Sequence, residues 1–300
     1  MKTGIKVITR VSVSATIALT AGALIAGSAF ASQAQAATAP AVPKIVAPGG
    51  FVMNNATGKA LYTKAADTRR PTGSTTKIMT AQVVLSDKKL DLNAKVTIDK
   101  AYSDYIVKNT ASSARLIVGD KVTVRQLLYG LMLPSGCDAA YALADKFGVG
   151  STRAARVNSF IGKMNASAKS LGLTNTHFDS FDGIGGKNNY STPRDLTKLA
   201  SKAMKDPTFR TVVKTTSTKQ RVVTKNGGYR DMSWSNTNKL LSGYSGDIGV
   251  KTGSGPTAKY CLVFAASRNG KTVIGTVLAS TSEATRTTDA KKLMDYGFKK

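Results

Sequence analysis

Hydrophobic and polar positions divide the chain into a leader, a short Pro/Ala stretch and a long mixed region. Lys2, Lys6 and Arg10 precede an uncharged apolar run from Val11 to about Phe30, and the small-residue patterns Ala29-Phe30-Ala31 and Ala34-Gln35-Ala36 follow. A basic start, an apolar centre and small-residue cleavage sites mark residues 1–36 as a secretory signal peptide, with an uncleaved membrane anchor as the alternative. Residues 37–48 read as a tether and 49–300 as one domain.

Within that domain, Gly50 to Met53 and Lys59 to Lys64 are strands joined by Asn54 to Gly58, a β-hairpin. The loop through Arg69, Arg70, Pro71 and Gly73 ends at Ser74, and Thr75 to Leu85 is helical, with Ile78, Ala81 and Leu85 on one face. Thr123 opens a second helix with a capping box to Gln126, and that helix stops before Pro134. Ser135-Gly136 is a short loop before helices at Cys137 to Phe147 and Ser151 to Leu171, closed by Gly148 and Gly172. Thr192 with Pro193 starts another helix that ends near Lys205. Val212 to Met232, β-branched and basic, reads as a long ribbon. Strands follow at Ile248 to Ser254, Tyr260 to Ser267 and Lys271 to Ala279, the last two joined by Asn269-Gly270, and a helix from Ser282 to Tyr296 closes the chain. The sheet is therefore drawn from both ends of the chain, 50–64 and 248–279, around a mostly helical middle, an α/β arrangement of the α+β kind.

Charge narrows the setting. Removing the three leader cations from a net charge of +26 leaves +23. An exported chain of that charge meets anionic wall polymers rather than nucleic acid, and no Arg-rich block or aromatic-interleaved stripe marks a nucleic-acid site. One histidine and two separated cysteines, Cys137 and Cys261, make no metal-ligand cluster, so neither a metal nor any other cofactor is expected. The two cysteines are free or form one disulfide, which their spacing does not decide.

Ser74-Thr75-Thr76-Lys77 places a hydroxyl and an amine one helical turn apart, a nucleophile and base when the amine is unprotonated, a state that burial or a neighbouring cation favours. Ser86 and Lys89 repeat the spacing, and Ser is also an ordinary helix cap. Lys251-Thr252-Gly253 ends an apolar strand whose edge suits backbone pairing with a peptide, with lysine and threonine holding a terminal carboxylate. Lys2-Thr3-Gly4 repeats that tripeptide in the leader. Ser135, between two helices, is a candidate proton relay or simply a cap.

Taken in order, a helix start at Ser74, an interhelical loop at Ser135 and a strand at Lys251 resemble the low-molecular-mass penicillin-binding proteins, the D-alanyl-D-alanine carboxypeptidases and transpeptidases. The resemblance runs from about Gly50 to the C-terminus, through Pro71 to Thr80, Leu133 to Ala144, Leu171 to Phe178, Asn236 to Leu241 and Gly249 to Gly255. It is strongest to the secreted transpeptidase type whose second motif reads Ser-Gly-Cys. It implies the penicillin-binding-protein and serine β-lactamase-like fold, an antiparallel five-stranded sheet flanked by helices plus a helical region. It further implies that Ser74 is acylated, Lys77 is general base and Ser135 relays protons. Lys251 and Thr252 would bind the substrate carboxylate beside Gly253, and the N–H groups of Ser74 and Ser254 would form the oxyanion hole. Cys137 stands where the family usually has Asn, a position that contacts the substrate amide.

The implied partners are peptidoglycan D-Ala-D-Ala peptides, β-lactams as covalent inhibitors and anionic wall polymers, acting on a monomer outside the membrane. The chain ends at Lys300 directly after its closing helix, so a soluble or charge-held protein is expected. Two other functions compete. A serine β-lactamase shares the motif order, but class A enzymes deacylate with a Glu-activated water, and the sole glutamate, Glu283, follows the last strand, so penicillin is expected to stay on Ser74. A basic wall-binding or penicillin-sensing protein without peptidase activity is the other. A thiol peptidase built on Cys137 and His177 is disfavoured by the distance between them along the chain, and His177 is expected to be structural.

Overall fold

The computed structural model describes residues 1, 11, 12 and 40–300. The leader read over residues 1–36, with residues 37–39, lies outside the described residues apart from those three positions. The elements in chain order are β1 (Gly49–Asn54), β2 (Ala60–Lys64), a 3-10 turn (Gly73–Thr76), α1 (Lys77–Leu85), β3 (Lys95–Thr97), α2 (Lys100–Asn109), β4 (Lys121–Thr123), α3 (Val124–Met132), α4 (Cys137–Phe147) and α5 (Arg153–Ser170). They continue with α6 (Pro193–Ala203), α7 (Pro207–Lys214), β5 (Ser217–Val223), β6 (Tyr229–Ser235), α8 (Leu240–Gly243), β7 (Asp247–Gly255), β8 (Lys259–Arg268), β9 (Lys271–Ser280) and α9 (Glu283–Lys299).

The main sheet is antiparallel with strand order β2-β1-β9-β8-β7, so the two ends of the chain meet at the β1–β9 pair. Asn269 and Gly270 join β8 to β9 with φ of 48° and 77°, the doubly left-handed turn that this dipeptide favours. Period-two alternation sends the sheet's side chains to opposite layers. Phe51, Met53, Val263 and Ala265 face the helical core, while Val52, Leu262, Phe264 and Ala266 face Leu293 and Met294 of α9. A sheet covered on both faces accounts for the nearly unbroken apolar runs in β8 and β9. Ile45 and Ala47, inside the segment read as a tether, are buried, and the Asp289 carboxylate accepts hydrogen bonds from the N–H groups of Val46 and Ala47 at 3.1 and 2.7 Å.

The helix expected over Thr75 to Leu85 is α1, but its burial is not confined to the face of Ile78, Ala81 and Leu85. Lys77 through Val84 are all buried, because α1 passes through the middle of the helical region rather than along its surface. Ser74 lies in the 3-10 turn that leads into α1. The ribbon expected from Val212 to Met232 is also corrected. Val212 to Lys214 end α7, which carries an Asp206 cap and Pro207 at its first position, and β5 and β6 form a hairpin that starts only at Ser217. That hairpin joins β3 and β4 in a second sheet of order β3-β4-β5-β6, which the sequence did not suggest. Among the described residues, no helix is long and apolar enough to cross a membrane.

Candidate active site

Lys77 is fully buried at the start of α1 and donates to Ser74 Oγ at 2.8 Å and to the Asp182 carbonyl at 3.0 Å. Its Nζ also lies 3.3 Å from Cys137 Sγ. No carboxylate of the described residues pairs with it, so the Nζ faces a hydroxyl, a carbonyl and a thiol. The spacing of Ser86 and Lys89 leads elsewhere: both side chains are exposed beyond the end of α1.

Ser135 sits between α3 and α4 with φ of 66°, a left-handed conformation that costs a non-glycine residue energy and that persists here in the loop lining the cleft. Its Oγ is buried and meets no protein hydrogen-bond partner. The Ser112 hydroxyl clamps the loop by donating to the Ser135 carbonyl at 2.6 Å, and Cys137 N–H donates to the Ser112 carbonyl at 2.8 Å. Asp138 anchors the facing segment by accepting from Ser113 Oγ and the N–H groups of Ala114 and Leu116. Burial pushes the Cys137 thiol up, against the opposing pull of Lys77, so a neutral thiol stands beside the Lys77 amine. Cys137 and Cys261 are both free and buried, which resolves the disulfide alternative against a bridge.

β7 is an edge strand of the main sheet and runs beside the turn that carries Ser74. Glycine is needed at position 253, where a Cβ would lie 2.7 Å from the Thr72 carbonyl and 3.0 Å from Thr75 N. Lys251 is buried and donates to the Thr252 carbonyl at 3.0 Å; Thr252 Oγ1 lies 2.6 Å from Thr237 Oγ1. Burial, then the nearby Lys77, holds the Lys251 ammonium well below its usual range, and an arriving carboxylate favours its charged form. Ser74, Ser135, Thr252, Gly253 and Ser254 line one open cleft of about 560 Å³, with Lys77, Cys137 and Lys251 in the wall behind.

The cleft also contains groups that the motifs did not disclose, chiefly Thr237, Glu283 and Arg286. Arg286, buried at the start of α9, lies 3.5 Å from the Cys261 carbonyl, and its Nε has no protein partner. It follows a Ser282 cap, so the sequence signals a helix start there but not that topology delivers it to the cleft. Glu283, expected to lie apart from the motifs because it follows the last strand, in fact lines the cleft. Its carboxylate pairs with Arg286 at 3.4 Å and Lys239 at 3.5 Å, without hydrogen-bonding Ser74 or Lys77. His177 bonds the Asn188 carbonyl at 2.7 Å and bridges to Tyr190, away from Cys137. No cluster of potential metal ligands occurs among the described residues.

This geometry has close counterparts. A family model described as D-alanyl-D-alanine carboxypeptidase matches residues 34–282. The D-alanyl-D-alanine carboxypeptidase of Streptomyces sp. (strain K15) is 70% identical over 281 residues, 93% of this chain and 96% of that protein. The crystal structure of the Streptomyces K15 DD-transpeptidase matches with a TM-score of 0.86 and 74% identity over 86% of this chain and 99% of that one. D-alanyl-D-alanine carboxypeptidase DacF of Bacillus subtilis (strain 168) is 32% identical over 84% of this chain, which spans 62% of its length. With a matching family model over most of its length and a relative this similar along nearly the whole of both chains, the protein belongs to the D-alanyl-D-alanine carboxypeptidase family.

Proposed function

We propose that the protein is a serine carboxypeptidase and transpeptidase of D-alanyl-D-alanine peptides that works through an acyl-enzyme on Ser74 and is blocked by penicillin. The 2.8 Å contact between Lys77 Nζ and Ser74 Oγ carries this reading, because it joins a nucleophile to a buried amine with no carboxylate partner. Lys77 takes the Ser74 proton as Oγ attacks the carbonyl carbon of the penultimate D-alanine, and the N–H groups of Ser74 and Ser254 receive the oxyanion. The C–N bond then breaks, and the leaving D-alanine amine takes its proton through Ser135 Oγ. Water or an amine acceptor attacks the ester, returning the proton to Ser74. Thr252, Thr237 and Arg286 receive the terminal carboxylate, with Lys251 behind them.

Glu283 does not turn the site into a β-lactamase, because its carboxylate is held by two cations and makes no contact with the Ser74–Lys77 pair. The penicilloyl ester on Ser74 therefore persists. The leader pattern and the wall substrate support export of a monomeric, cell-wall-associated enzyme, and the positive charge supports contact with anionic wall polymers. Product analysis on a D-alanyl-D-alanine peptide tests the function: D-alanine is released, and an added amine acceptor diverts the acyl group into a new amide. Absence of both products from active-site-intact protein rules it out.

A further inference from the structure

A second cavity, of about 450 Å³, is lined by Arg69, Arg70, Lys187, Tyr190, Gly185 and Thr257 among others; no acidic residue is among its lining, and the Asp179 carboxylate behind Gly185 and Gly186 accepts from Gly186 N–H at 2.9 Å. None of the ion pairs among the described residues uses its three cations. Two of the cations are held in place by neutral groups. Arg69 Nε donates to Asn175 Oδ1 at 3.2 Å, and its guanidinium lies 4.8 Å from the centre of the Tyr190 ring. Arg70 donates to the Pro48 carbonyl at 3.2 Å, and its buried Nε has no protein partner. Cations fixed by neutral partners keep their charge available to an incoming anion.

The position of this cavity says which anion. Its lining is adjacent in sequence to that of the catalytic cleft on three segments: Pro71 near Ser74, Gly185 beside Ile184, and Thr257 beside Pro256. A peptide paired antiparallel to the β7 edge, with its terminal carboxylate at Thr252 and its reacting carbonyl at Ser254, runs back towards Thr257. β7 ends at Gly255, one residue past Ser254, and residues 256–258 turn back into β8, so the upstream part of such a peptide, at about 3.3 Å per residue, passes the turn that carries Thr257.

We propose that this cavity is an acidic-residue subsite, in which Arg69, Arg70 and Lys187 bind a donor-peptide carboxylate two to three residues upstream of the residue that acylates Ser74. The assignment rests on the proposed function and adds a determinant of substrate choice to it. Wall phosphodiesters present similar chemistry, but the shared walls with the cleft and the direction of the β7 edge favour the peptide.

The test compares two five-residue peptides ending in D-Ala-D-Ala, with either a carboxylate or the matching amide at those upstream positions, using wild type and the double variant Arg69→Gln/Lys187→Gln. Both substituted side chains are exposed, so folding is not at stake. Wild type should prefer the acidic peptide by about tenfold in kcat/KM, mainly through KM and less at high salt, and the variant should lose that preference. Acylation by a small penicillin should be the same in both proteins. A wild type that labels normally but shows no acid preference overturns the subsite alone, as does a preference that survives in the variant. A wild type that does not label overturns the proposed function and the subsite with it. Competition by poly(glycerol phosphate) without an acid-over-amide preference overturns the peptide assignment in favour of a wall-polymer site.

Discussion

Lys77 illustrates how much one buried contact decides. Its Nζ is held by Ser74 Oγ, a carbonyl and a thiol, so Lys77→Gln removes the proposed base while leaving a polar side chain able to reach the same partners. Lys77→Gln should slow acylation of Ser74 by about 10²–10⁴-fold, read by the rate of labelled-penicillin incorporation in protein of unchanged circular dichroism; a wild-type rate would contradict the assignment. Asp247 gives a pH prediction at the same scale. Burial pushes its carboxyl up to about 7, despite hydrogen bonds from Gly249 N–H and Asn238, and one of its oxygens has no protein partner. The folded protein thus holds a proton that the unfolded chain releases near its ordinary value, so this stabilisation is complete in acid and lost as pH rises through about 7. Asp247→Asn should flatten the fall in urea midpoint between pH 4 and 8, worth up to about 4 kcal/mol in wild type. Equal slopes in the two proteins would refute it. Ser74, Lys77, Ser135 and Lys251 were legible in sequence because each sits in a short motif on a recognisable element. Ser112, Thr237 and Arg286 were not, since their place depends on which distant segments the fold brings to the cleft.

Among the elements, the packing of β7 against the 3-10 turn fixes the relation of Ser74, the proposed nucleophile, to the strand proposed to receive the substrate. Gly253→Ala would drive a Cβ to 2.7 Å from the Thr72 carbonyl, and backbone must shift to relieve it. The variant should lose about 1–3 kcal/mol in chemical denaturation and most of its acylation rate. Full activity would mean that the turn and strand are not rigidly coupled. Helices with strong end signals were readable: the capping box at Thr123 and the Thr192-Pro193 start appear where expected, and the last helix begins beside the expected Ser282. α2 buries only Tyr102 and so shows no apolar stripe, while β3 and β4 are three-residue strands whose pairing is set by tertiary contact. α7 was misread because Val212 and Val213 suit a strand equally well, although Asp206-Pro207 marks a helix start.

For the whole molecule, the two-sided burial of the main sheet makes the last helix part of the framework around the cleft. Leu293 of α9 is fully buried against that sheet, and Arg286 of the same helix enters the cleft. Leu293→Ala should cost about 2–5 kcal/mol in denaturant unfolding, and a loss below 1 kcal/mol would show that α9 is only loosely docked. The fold as a whole brings Ser74, Ser135 and β7, from widely separated parts of the sequence, to one cleft, and a single product reports whether they act together. Intact-mass and peptide mapping after brief exposure to benzylpenicillin should find one penicilloyl adduct, on Ser74, that persists in the wild type and is absent from Ser74→Ala. An adduct on another residue, or one retained by Ser74→Ala, would contradict Ser74 as the nucleophile.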